Sequence, residues 1–189
     1  MYQKYSTPAL VLGSREQGEA DKVFALYTQD FGLVWARASA VRTEGSKMRS
    51  ALQACSLTRV SLVRGKRGWR LAGAVSELSG VGRAPAAVSS FARIAQLVLR
   101  LVRGEERDEY LFATLSEAQR ALFSGAEHAS VEIVCVARVL FALGYLSPEA
   151  LETALFAHTA YGVPELSEAE EKRSALLGEI NRAISETQL

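Results

Sequence analysis

Residues 57–77 read LTRVSLVRGKRGWRLAGAVSE. Two short runs with apolar residues alternating, Leu57–Arg64 and Trp69–Glu77, flank Gly65-Lys66-Arg67-Gly68. The period of two marks strands, and the glycines supply the turn dihedrals of a hairpin between them. Working back toward the N-terminus, similar runs rich in Val, Leu and aromatics occur at Ala9–Ser14, Lys22–Thr28 and Leu33–Ala40. Asp30-Phe31-Gly32 separates the second run from the third, and Thr43–Ala54 reads as a polar loop running into a short helical turn. Five strands with an excursion after the third match an OB-fold, a small Greek-key barrel. Periodicity alone also fits another small barrel.

The pattern changes at Ser79-Gly80-Val81-Gly82-Arg83-Ala84-Pro85, where two glycines and a proline end the strands and Pro85 suits a first helical turn. Phe91, Ile94, Ala95, Val98, Leu101 and Val102 then recur at helical spacing. Leu111, Leu115, Ala118 and Leu122 form a second stripe. Val131–Leu143 is apolar nearly all round, as a central buried helix would be, and Gly144 stops it. Ser147-Pro148 is expected to start a fourth helix with Ser147 as its N-cap, and Ser167-Glu168-Ala169-Glu170 to open the last as a capping box. The expected class is α+β: a barrel over residues 1–80, then a helical domain over 81–189.

The near-neutral total hides a split. Up to Arg83 there are 13 basic and 6 acidic residues, a net of +7; beyond it, 9 basic and 15 acidic give −6. Arg42 to Arg70 alone holds eight cations against one acid, Glu44. A one-sided excess of this kind points to a polyanion, above all nucleic acid. No stretch is long and apolar enough for a membrane span and no signal-peptide layout is visible, so a cytoplasmic protein is expected. Cys55 and Cys135 are too few for a structural zinc site and read as buried thiols. No phosphate loop, GxSxG or HExxH motif is present, Cys55 has no histidine nearby, and Glu16, Glu19 and Asp21 are spaced acids without a ligand cluster. The sequence therefore predicts a non-enzyme without cofactor or metal.

Alternation on the third strand sets Leu33, Trp35, Arg37 and Ser39 on one face and the small residues Val34, Ala36 and Ala38 on the other, toward a barrel interior. Trp35 and Arg37 then form a pair suited to single strands, the ring stacking on a base and the cation meeting phosphate. Packing of Trp35 beneath the helical domain, with Arg37 merely solvated, is the competing reading. Trp69 shares parity with Leu71 and Val75 and is expected inside, with Arg70 outside. Arg64, Lys66 and Arg67 cluster at the hairpin, and Arg42, Lys47 and Arg49 on the excursion. Arg138, within the central apolar helix, is expected to pair with Glu109 or Glu132; a partner's acidic tail is the alternative.

Several motifs, in order, resemble the RecO recombination mediators. These are Thr7–Leu12; Gly18-Glu19-Ala20-Asp21-Lys22, similar to a GE-S/A-D turn; and Leu26–Gly32, similar to a T-x-x-x-G corner. Ala51-Leu52-Gln53, Arg64-Gly65 with the glycine after it, and Val139–Tyr145 (VLFALGY) continue the likeness. The resemblance implies an N-terminal OB-fold joined to a helical domain. It also implies an ATP-independent mediator in DNA repair that binds single- and double-stranded DNA and anneals complementary strands. Such a mediator works with RecR to replace single-strand-binding protein with RecA. Two departures stand out. The family's recurrent lysine after strand three would fall near Ser39, where Arg37 and Arg42 offer the charge instead. The four-cysteine zinc element that many members carry is missing from Leu146–Val163, which suggests a compact form. The other reading is an adaptor whose helical half holds the main site and whose barrel is a spacer; a general single-strand-binding barrel, for DNA or RNA, is a third.

Overall fold

A computed structural model describes residues 3–43, 45–147, 149 and 151–187. Strands β1 (Lys4–Gln17), β2 (Asp21–Thr28), β3 (Gly32–Ala38), β4 (Leu57–Gly65) and β5 (Gly68–Leu78) close into a barrel in the order β1-β2-β3-β5-β4. With its short parallel β3–β5 pair, Ala36↔Trp69 and Arg37↔Arg70, this is an OB-fold. β1 closes the barrel because it is long enough for two neighbours. Lys4–Leu10 pairs with β4, and Ala9–Gln17 with β2. A bulge between Val11 and Gly13 lets the strand bend from one partner to the other.

Inside, Ala9, Val11, Phe24, Leu26, Val34, Ala36, Ala38, Val60, Leu62, Trp69 and Leu71 form one core, completed by Val41 and Leu52 from the excursion. The excursion is a run of turns, with Leu52 N–H donating to Met48 C=O at 3.1 Å. Glu44 lies outside the described residues. The T-x-x-x-G corner has a direct mechanical reading. The buried Thr28 hydroxyl donates to Gly32 C=O at 3.0 Å and accepts from Phe31 N–H at 3.0 Å, stapling the β2–β3 turn. Gly32 has φ +62°, and a Cβ there would lie 2.0 Å from the carbonyl oxygen of Glu106. Only glycine suits both the dihedral and the close approach.

One face assignment changes. Val75 is 69% exposed, whereas parity with Trp69 and Leu71 places it inside. Register explains the reversal: Leu62 faces Leu71 but Ser61 faces Gly73, so Ala72 is an extra residue in β5. That bulge inverts the alternation, and Ala74 packs against the core in place of Val75.

The residues cluster into two compact units: Met1–Arg83 with Arg103–Asp108, and Ala84–Val102 with Glu109–Leu189. The first therefore takes in a short downstream segment besides the barrel. The second is helical: α1 (Pro85–Leu101), α2 (Glu109–Phe123), α3 (His128–Ala142), α4 (Val163–Glu171) and α5 (Arg173–Glu186). α1 buries Phe91, Ile94, Ala95, Val98 and Leu101, and α3 is the central, mostly buried helix. Glu127 caps α3, accepting from Ala129 N–H at 3.0 Å and Ser130 N–H at 2.6 Å. Those amides, Ser130 first, hold its carboxyl below the usual range.

Two helix starts differ from expectation. Pro148 and Ala150 lie outside the described residues; Ser147 is irregular chain, Glu149 has 3₁₀ geometry and residues 151–162 form turns and irregular chain. The Ser167–Glu170 motif does not open a helix. α4 begins at Val163 with Gly162 as N-cap, and Leu166 N–H donates to Gly162 C=O at 3.1 Å. Pro164, in the first turn, favours that earlier start. Glu168 is engaged instead by the Thr153 hydroxyl at 2.6 Å.

The pairing of Arg138 is also corrected. Its Nε donates to Leu155 C=O at 2.7 Å and its Nη1 to Ala160 C=O at 2.8 Å, with the guanidinium 4.7 Å above the Tyr161 ring. The expected carboxylate Glu132 is taken by Arg93 at 2.5 Å, and Glu109 is not a partner of Arg138 either. The irregular chain after α3 meets two of the cation's donors, Nε and Nη1, with carbonyl oxygens, while its buried Nη2 has no hydrogen-bond partner among the described residues. Arg138 has no exposed surface, so an acidic tail would have to displace these carbonyls to reach it. Cys55 and Cys135 are both buried; desolvation pushes the Cys135 thiol up to about 12. Among the described residues no helix is long and apolar enough to cross a membrane.

Candidate nucleic-acid interface

The outer wall of the barrel is built by register. Arg15 lies opposite Val23, Val23 opposite Arg37, and Arg37 opposite Arg70. Cross-strand partners point to the same side of a sheet, so this row sets three arginines on one outward face across four strands. Trp35 lies two residues from Arg37 on the same face, with 48% of its surface exposed. Arg15 extends its guanidinium to 5.4 Å from the Trp35 ring centroid, a cation–π contact that orients both groups.

The β4–β5 hairpin forms the other bank. Lys66 and Arg67 occupy its tip, and Trp69 turns inward at the start of β5. Trp69 packs with Tyr5 at 5.7 Å and Phe31 at 5.0 Å between ring centroids, which fixes its plane. Its buried indole Nε1–H has no hydrogen-bond partner among the described residues. Arg64 stacks over the same ring at 5.1 Å and pairs with Glu105 at 3.2 Å. Between the banks runs an open groove of about 820 Å³, lined by Arg15, Trp35, Arg37, Lys66, Arg67 and Arg70 among others. The Trp35–Arg37 pair expected from strand alternation and the cations of the hairpin thus converge on one surface.

The cations in it are not equivalent. Arg37 is held by Asp21, with Nε at 2.9 Å and Nη2 at 2.5 Å from one carboxylate oxygen, while the other accepts from Ala40 N–H at 2.8 Å. The Ala40 amide first and Arg37 second keep the Asp21 carboxyl below its usual range. This is the work of the aspartate in the GE-A-D turn: it ties β2 to the end of β3. Lys66, Arg67 and Arg70 have no acidic partner among the described residues, so their charge is free to meet an anion.

Arg42 and Arg49 lie elsewhere. With Lys22 they line a cleft of about 500 Å³ between the excursion and the open end of the barrel, over Phe24, Val41 and Leu52. Arg42 also pairs with Glu16 at 3.2 Å. Lys47 is exposed on the excursion and lines neither depression. Arg15 and Lys22 were not singled out from sequence. Arg15 lies beyond the expected end of its strand and past the bulge that sets its face; continued pairing of Ser14–Gln17 with β2 is the signal that places it. Among the described residues no group of three or more His, Cys, Asp or Glu could hold a metal ion.

Comparison with known proteins now bears on this barrel. Residues 1–73 match the family described as Recombination protein O N terminal. That match covers the strands that build the groove, through the hairpin. The barrel is thus similar to the N-terminal domain of the RecO family. The chain is 34% identical over 127 residues to the DNA repair protein RecO of Pelotomaculum thermopropionicum, covering 64% of this chain and 48% of that relative. Proteins of the same name are 37% identical over 62 residues in Dehalococcoides mccartyi and 36% over 62 in Desulfitobacterium hafniense, each covering 33% of this chain. Those matches span 24% and 23% of the relatives. The matched part is thus about half the length of the Pelotomaculum protein and a quarter of the others. Within the matched residues, the GE-A-D turn, the threonine-glycine corner and the hairpin are the three devices that shape the groove.

Proposed function

We propose that this chain binds DNA along the outer groove and acts in DNA repair and recombination. The observation that carries the reading is the combination of Trp35, exposed and oriented by Arg15, with Lys66, Arg67 and Arg70 across the groove, cations without an acidic partner among the described residues. Bases stack on an aromatic face while cations neutralise phosphates, which is how single strands are held without sequence preference. Duplex DNA meets the same cations through its phosphates alone. Similarity of residues 1–73 to the RecO N-terminal family, and relatives that bear the name DNA repair protein, support the biological setting. On that basis the chain anneals complementary strands and, with RecR, assists the exchange of single-strand-binding protein for RecA.

The test is titration of a fluorescent single-stranded oligonucleotide beside a matched duplex, at several salt concentrations. With about four to six phosphates engaged, log K against log salt should slope near −3 to −4 for the single strand. Absence of binding at low salt would reject the reading and turn attention to protein capture by the acidic helical unit.

A further inference from the structure

The two basic depressions are on opposite faces of one sheet wall. Along β1–β2–β3 the row Arg15–Val23–Arg37 points outward, and the adjacent row Ser14–Phe24–Ala36 points inward, its Phe24 and Ala36 being part of the barrel core. Strand alternation thus separates the outer groove from the cleft containing Lys22, Arg42 and Arg49. Acids occupy the turn between them. Glu16, Glu19 and Asp21 are all at the β1–β2 end, where a chain of phosphates passing from one depression to the other would meet carboxylates.

The linings differ as well. The outer groove offers the exposed indole of Trp35. The aromatic side chain of the cleft, Phe24, is 2% exposed and belongs to the core, so it presents no stacking face. What the cleft does present is charge: Lys22 and Arg49 have no acidic partner among the described residues, and Arg42 shares its guanidinium with Glu16 and the Gly18 carbonyl. Cations over an apolar floor without a stacking platform suit a sugar-phosphate backbone, not bases.

We propose that this cleft is a second, separate site that takes the backbone of a second nucleic-acid strand while the outer groove holds the first. The inference rests on the nucleic-acid reading above and deepens it: one barrel would carry two strands on two faces, the first by its bases and phosphates, the second by phosphates alone.

The full chain, kept scarce, is mixed with two oligothymidylates, one labelled with a donor dye and one with an acceptor. Thymidylates cannot pair with each other, so energy transfer reports two strands on one protein. Arg49→Glu, a change at an exposed excursion residue, should lower transfer about tenfold while leaving first-strand affinity within about twofold. Arg42→Gln should act in the same direction more weakly. Lys66→Glu/Arg67→Glu should instead weaken the first strand about tenfold or more. If Arg49→Glu weakens the first strand as much as the hairpin variant does, the depressions form one track and the proposal fails. It fails equally if the wild type binds one strand but shows no transfer, or if Arg49→Glu leaves transfer intact. A wild type that binds no strand at low salt overturns the nucleic-acid reading itself, and the cleft with it.

Discussion

The helical unit pairs most of its cations with acids, whereas the barrel pairs some and leaves a cluster of others without an acidic partner among the described residues. In the helical unit, Arg93 pairs with Glu132, Arg120 with Glu117, Lys172 with Glu168, Arg173 with Glu170 and Arg182 with Glu179. Four of the five pairs are three or four residues apart in the chain, so those positive charges are neutralised locally and little of their field extends into solvent. On the barrel, Lys66, Arg67 and Arg70 have no such partner among the described residues, and Arg37 is tied by an acid that also braces a turn. Unpaired surface charge adds nothing to the stability of the barrel; self-repulsion opposes it. The difference separates charge that serves the fold from charge left available to a ligand.

The largest effect should come from breaking the frame that presents the charge. Gly32→Ala meets both the positive φ and the Glu106 carbonyl, and should destabilise the barrel by about 3–4 kcal/mol. Chemical denaturation should show it, with the helical unit losing less. Next, Lys66, Arg67 and Arg70 changed together to Gln should flatten the single-strand salt slope by about 2. The same treatment of Arg120, Arg173 and Arg182 should leave the slope unchanged; an equal loss would erase the contrast between the units. Trp35→Ala should cost about 1–3 kcal/mol of single-strand affinity with no change of slope, since it removes stacking and not charge. Duplex affinity should barely move, which sharpens the distinction between platform and cations.

The smallest effect tests an acid that serves the fold. Glu127→Ala should cost about 1 kcal/mol at neutral pH by removing the cap of α3. Because folding depresses the carboxyl, its contribution is complete above the unfolded value and lost as pH falls through the lower folded one. Wild type and variant should therefore converge in stability under acid. A gap that persists there would mean the side chain acts by packing and not as an ionised acceptor.

Much of this was readable along the chain. Alternation located five strands, the paired glycines located the hairpin, and helical spacing located α1, α2 and α3. Trp35 outside with Arg37 followed from parity alone, because β3 is free of bulges. Where a bulge intervenes, parity misleads: Val75 is outside because Ala72 is an extra residue, and Arg15 joins the groove beyond the bulge at Leu12. A bulge depends on the partner strand, which a single strand's sequence does not contain.

Local chemistry, then, was determined by sequence: which segments are strands or helices, where the chain turns, and that the first half carries the excess positive charge. Tertiary structure decided which cations share a surface. Lys66, Arg67 and Arg70 met Arg15 and Trp35 across closed strands, while Arg42 and Arg49 went to the other face with Lys22. It also decided that Arg138 donates to carbonyls of the chain after α3 and not to a carboxylate. The physical reason is the same in each case. Propensity and period act over a few residues, whereas register, closure and the pairing of a buried charge depend on groups that only folding brings together.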